Sequence, residues 1–173
     1  MIRILAFIGG LAGGVGLSQF PEYSQQYLQR LAGAVDELHI IVANFDADAE
    51  RSQLTRDEAL ATYANAGGFL AEQGEARAEE IRRFEVLRGD YAALREAEPL
   101  QRLAQVYRLA DTELASRTWD DFRPAVPVTM DGFICAGIGF AAVWVTIMLA
   151  LVGIVRLFRR LFRQRAAAAD ADA

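Results

Sequence analysis

The chain has 173 residues, 53% apolar and 24% charged, with a net charge of −5. A single histidine excludes a His-based metal cluster, and a single cysteine excludes an intramolecular disulfide. The apolar residues gather at the two ends, while the middle is as charged as any soluble protein, so the end blocks decide the class. All 18 basic residues are Arg. Together with abundant Ala, this reads as the codon bias of a GC-rich genome more simply than as a demand for guanidinium groups.

The first apolar block, residues 1–20, barely reaches the ~20 residues that a membrane span needs. Arg3 falls at its edge, where a long side chain can snorkel to the interface. Gly9 and Gly13, and likewise Gly10 and Gly14, are four apart and share one side of a helix. That spacing is the small-xxx-small pattern of closely packed membrane helices. A cleaved signal peptide is the competing reading, with Gly16-Leu17-Ser18 as its cleavage site. Retention is the expectation, because no Ala-x-Ala site follows and the chain runs directly into a helical pattern.

Residues 21–118 read as a helical domain. Pro21 suits a first helical turn, and Leu28, Leu31, Val35, Leu38, Val42 and Phe45 recur at spacings of three and four, a bundle or coiled-coil seam. Asp46-Ala47-Asp48 is expected to end this helix. Thr55 and Glu58 then form a capping box for the next, along which Leu60, Tyr63, Gly67 and Leu70 keep helical spacing. Gly67-Gly68 and Gly74 imply a bend, a break or a close crossing. Ile81, Phe84, Leu87, Tyr91 and Leu94 mark a further helix, with Glu79 and Arg83 placed to pair four apart on its other side. After Pro99 a last helix is expected to carry Leu100, Leu103, Tyr107, Ala110 and Leu114 in one stripe.

Residues 119–131 form an aromatic, proline-punctuated connector in which Trp119 and Phe122 are placed as bilayer-interface anchors, and Thr129 is a candidate helix cap. The second apolar block, residues 132–158, carries no charge before Arg156 and is apolar on every side, which no soluble surface helix is. Gly132, Cys135, Ala136 and Gly139 offer a small-residue face able to receive the glycines of the first span. The tail, 159–173, is basic and then rich in Ala and Asp. Arg156, Arg159, Arg160, Arg163 and Arg165 make that end cytoplasmic by the positive-inside rule, and the first four are placed as basic interface anchors. Residues 21–131 carry 12 Arg against 21 acidic residues, a net −9, as expected of an exported segment. The reading is therefore an all-α protein of the bacterial inner membrane, with two transmembrane helices flanking a periplasmic helical bundle or hairpin and both termini cytoplasmic.

No catalytic constellation emerges. His39 lies beside the seam and has no second imidazole, so it reads as a helix-flank residue. Asp120, Asp121 and Asp131 lack the dense ligand loop of a divalent-cation site. The glycines of the first block follow no strand and precede no Lys-Ser/Thr, so they are not a phosphate loop. The acidic middle carries no nucleic-acid footprint, and neither span holds a deep ionisable group. No cofactor is implied.

The stretches ILAFIGGLAGGVGLSQFPEYSQQYLQRLAGAVDEL and FRPAVPVTMDGFICAGIGFAAVW resemble an uncharacterised family of short proteobacterial membrane proteins, known only as a domain of unknown function. Ser18 to Glu22 and the Pro-x-x-Pro-x-Thr-x-x-Gly run from Pro124 to Gly132 carry the resemblance most distinctively. It supports the topology and implies no activity. The leading expectation is a structural or interaction protein, not an enzyme. Its partners would be the lipid bilayer and either another membrane protein or a second copy, met through the periplasmic helices or the glycine-faced spans. The alternative is a sensory or ligand-binding module acting through a partner, since the tail is too short to hold an output domain.

Overall fold

The computed structural model describes the backbone of residues 2–126 and 128–171, and the side chains of residues 3–126, 128–154 and 156. Among the described residues every regular element is helical and no strand occurs. The chain divides into two compact units, one of Met1–Pro21 with Pro124–Ala173, the other of Glu22–Arg123.

The first unit is a pair of helices, α1 (Ile2–Ser18) and α7 (Met130–Ala171), packed along each other. Two helical stretches, one within Arg3–Arg51 and one over Met130–Ile154, are long and apolar enough to cross a membrane. Thr129 starts α7 as its sequence suggests: its hydroxyl accepts from the Gly132 backbone N–H at 3.2 Å, satisfying one of the orphan donors of a first turn. At the end of α1, Gln19 interrupts the helix, and its side-chain oxygen accepts from the Ala125 N–H at 3.0 Å.

The second unit holds α2 (Phe20–Arg51, whose first two residues precede it), α3 (Arg56–Ala66), α4 (Gly68–Glu96), α5 (Pro99–Ala104), a 3-10 turn (Val106–Leu109) and α6 (Thr112–Asp120). The α2 seam buries Leu28, Leu31, Val35, Val42 and Phe45, with Leu38 half-buried against the same core. Ile81, Phe84, Leu87 and Leu94 of α4 face them, and Leu109 and Leu114 complete the cluster. Each such side chain contributes roughly 1.5–3 kcal/mol on leaving water. The two long helices run antiparallel. Near the start of α2, Gln25 accepts from Arg102; at its middle His39 stacks on Phe84 with centroids 5.8 Å apart; towards its end the Arg77 guanidinium lies over Phe45.

Four local expectations are corrected. Asp46-Ala47-Asp48 does not end α2, which continues to Arg51. Asp46 is held by Arg56 and Asp48 by Arg51, so neither carboxylate competes for the helix backbone. The helix stops instead at a Schellman turn: Gln53 N–H donates to Glu50 and Leu54 N–H to Ala49, with Gln53 at φ 60°. Glu79 pairs with Arg82 and not with Arg83, which reaches across to Asp111 and Glu113 of the α6 start. The single stripe after Pro99 is broken into three pieces, because Glu98 and Gln101 box the start of α5 and the Asp111 carboxylate accepts from Leu114 N–H, starting α6 afresh. Tyr107 and Ala110 are consequently exposed. Finally, Trp119 and Asp120 belong to α6 and not to the connector.

The Thr55–Glu58 capping box is formed, and the hydrogen bonds from the Thr55 N–H and hydroxyl hold the Glu58 carboxyl below its usual range. Between α3 and α4 the glycines divide their roles. Gly67 and Gly68 both have positive φ and break the helix, while Gly74 marks a close crossing, since a Cβ there would stand 2.6 Å from the Tyr63 Cβ.

Gly67 has φ 70° and ψ 172°, a region essentially closed to L side chains at about 1–3 kcal/mol. Gly67→Ala is therefore expected to lower stability by about that amount. Gln53→Gly is expected to raise it by about 1 kcal/mol, since it relieves a left-handed non-glycine residue. Circular-dichroism melting of the full chain in mild detergent measures both.

Candidate interaction surfaces

Gly9, Gly10, Gly13 and Gly14 of α1 are spent on contact with α7. A Cβ on Gly10 would lie 2.8 Å from the Phe140 ring, and one on Gly14 would lie 3.0 Å from the Ala136 carbonyl oxygen. A Cβ on Gly13 would meet Val143 and the Gly139 carbonyl, and one on Gly139 would run into the Gly13 carbonyl and Leu17. Gly9 faces Ile147. The helices are antiparallel, with higher numbers on α1 meeting lower numbers on α7. On α7, Gly139 and Ala136 meet Gly13 and Gly14 at this seam, while Gly132 and Cys135 are buried on the same helix. Phe7 and Phe140 close its flank edge to face, 5.7 Å apart. The other sides of the pair are an apolar skin: Ile4, Leu5, Ile8, Leu11 and Val15 on α1, and Ile134, Ile138, Val145 and Leu149 on α7, are all exposed.

Within the second unit an aromatic cluster ties the two chain ends together. Trp119 stacks on Phe122 at 6.2 Å, and both meet the Tyr23 ring edge-on. Arg30 pairs with Asp121 at 2.6 Å, and the Tyr23 hydroxyl donates to the Ala115 carbonyl. Phe122 is half-buried, whereas Trp119 is 70% exposed. Of the basic anchors expected from sequence, Arg156 is exposed, and the side chains of Arg159, Arg160 and Arg163 lie outside the described residues. Asp121 is engaged by Arg30, and among the described residues no group of three His, Cys, Asp or Glu side chains could hold a metal ion.

An open cleft of about 440 Å³ runs along α4 opposite the 3-10 turn, between Glu79, Arg82, Arg83, Val86 and Asp90 on one wall and Tyr107, Ala110 and Asp111 on the other. Its charges are paired internally: Arg108 with Asp90 at 2.7 Å, and Arg83 with Asp111 and Glu113. Nearby, Tyr27 is fully buried. Burial, with the Asp111 and Asp90 charges added, pushes its phenol up to about 12. Sequence reasoning missed this polar layer. Tyr27 falls one residue before the seam, and Arg102 has no local signal, yet it is buried and donates to the Leu94 carbonyl in the last turn of α4 and to Gln25. A cation suits that helix end, but only the fold shows which arginine reaches it.

A family model described as a protein of unknown function (DUF2937) matches residues 1–160. No curated protein and no solved structure matches the chain.

Two outcomes follow from this geometry. Gly139→Leu is expected to disrupt the α1–α7 pair at a cost of about 1–3 kcal/mol or more, whereas Gly137→Leu, with open space around the residue, leaves it intact; melting of both variants in detergent distinguishes them. For Tyr27, the unfolded phenol ionises at 10.0 and the folded one at about 12, so its contribution is complete below pH 10 and lost as pH rises through that window. Tyr27→Phe removes this component from the alkaline limb of a stability–pH curve.

Proposed function

The chain belongs to that family of unknown function, and from this premise we propose that it is a structural and interaction protein of the bacterial inner membrane. α1 and the apolar part of α7 cross the bilayer as a packed pair, both termini are cytoplasmic, and the Glu22–Arg123 unit is periplasmic. There it binds another membrane protein or a second copy. The observation that carries the reading is the helix pair itself: a seam of glycine-to-backbone contacts inside, and an apolar skin on the remaining sides. A skin of that extent is not what a soluble monomer presents to water. The five arginines after residue 155 and the net −9 of residues 21–131 support the orientation, and Trp119 and Phe122 suit the bilayer interface.

Because the small-residue faces of the two spans are used on each other, the partner surface falls to the periplasmic helices. The cleft along α4 favours a second reading, a ligand-binding module that signals through a partner. Both readings share one topology. Alkaline phosphatase fused after Phe45 is expected to be active, and a green fluorescent reporter fused at the same point dark. The reverse pair of results, or recovery of the untreated protein in the soluble fraction, contradicts the proposal.

A further inference from the structure

The turn joining α3 to α4 is a continuous stretch of the Glu22–Arg123 unit that its own core leaves uncovered. Residues 61–70 are all exposed, and α3 buries only Ala59 fully. At 11 residues, α3 is shorter than the ~12–15 at which even a good helix former is marginal in water, so packing must hold it. Its ties within the chain are Arg56 on Asp46 and Glu85, Ala59 and Leu60 on the core, and Tyr63 on Phe45 and Gly74, all at or before Tyr63. Residues 59–71 carry no charge at all, where a solvated helical hairpin would carry charged faces. Phe69 is 71% exposed and Leu70 49%.

The rim around this apolar tip has one sign. Between Arg56 and Arg77 lie Asp57, Glu58, Glu72 and Glu75 and no basic residue. Glu72 and Glu75 are exposed and make no ion pair among the described residues. Phe69 and Glu72, three apart, share a face of α4. The flanking arginines are already engaged, Arg56 by Asp46 and Glu85, Arg77 by Glu80.

We propose that this tip docks into an apolar groove rimmed by Lys or Arg on a partner protein. The proposal rests on the interaction-protein reading above and gives that partner its chemistry. The sign of the rim argues against the other occupants. An anionic lipid surface repels it, and a second copy docking tip to tip would set four acids against four. A basic rim instead gives Glu72 and Glu75 the partners they lack while Phe69 and Leu70 leave water, an aromatic anchor inside a polar ring.

The test uses the full chain in phosphatidylcholine nanodiscs, titrated by fluorescence anisotropy with a labelled Leu/Lys amphipathic helical peptide and its Leu/Glu counterpart. The Leu/Lys peptide is expected to bind roughly tenfold or more tightly than the other. Phe69→Ser, and separately the double reversal Glu72→Arg with Glu75→Arg, should each weaken it by about tenfold. Reversing Asp36 and Glu37, exposed acids of α2, should change it by less than about twofold. Matched circular-dichroism spectra show that the variants fold. Equal losses from the α2 and tip reversals would mean diffuse attraction to an acidic domain and overturn the proposal, as would absence of binding. A disulfide-linked dimer through Phe69→Cys in a Cys135→Ser background would assign the tip to a second copy and overturn it too. Any of these results in a protein still retained by the membrane removes the tip and leaves the interaction reading standing; a soluble untreated protein removes both.

Discussion

The close approach of two backbones at Gly13 and Gly139 is the contact on which the first unit depends. In the bilayer setting proposed for this unit, hydrocarbon offers helices no hydrophobic reason to associate, because lipid tails are as apolar as their side chains. What remains is dispersion between atoms at contact distance, and that falls away steeply with a gap of half an ångström. Glycines at 9, 10, 13 and 14 let α1 lie against α7 with nothing between the two backbones but the Val143, Phe140 and Ile147 side chains that fill the flanks. α1 is only 17 residues long, and this seam is what holds it.

The Glu22–Arg123 unit solves the opposite problem with the opposite means. In water the hydrophobic effect acts, so α2 and α4 are separated by large side chains, Leu31, Val35, Phe45, Phe84 and Leu87 among them. Polar groups then set which surfaces meet. Arg102 caps the end of α4 from α5, Arg83 joins α4 to the start of α6, and Arg30 holds Asp121. Most of these pairs are partly exposed and individually weak; their spacing along α4 and α6 fixes register more than it adds stability.

What was legible in the sequence was whatever repeats or caps locally. The seam of α2 could be read because it is periodic, the starts of α3 and α7 because Thr55 and Thr129 each precede the residues they cap, and the two small-residue faces because glycine spacing depends on helix geometry alone. Helix ends were harder. The stop of α2 lies at a Gln in left-handed conformation, a position where glycine is the usual sign, and the run from Pro99 to Leu114 keeps helical spacing although Asp111 restarts the helix. Long-range partners were invisible: Arg83 has an acid four residues away on its own helix but pairs with Asp111 and Glu113 at the start of α6, which only the fold brings within reach. The Tyr27 and Arg102 environments are assembled from three or four elements and leave no local trace.

In a bilayer, α1 and α7 are expected to pair within one chain through their glycine faces. Spin labels at Ala12 and Ala142, both exposed, in a Cys135→Ala background report it directly by pulsed dipolar spectroscopy in liposomes. A single narrow distance distribution is expected, consistent with helix axes on the order of 8 Å apart and unchanged on dilution with unlabelled protein. A broad distribution, or a short distance that disappears on dilution, would contradict it.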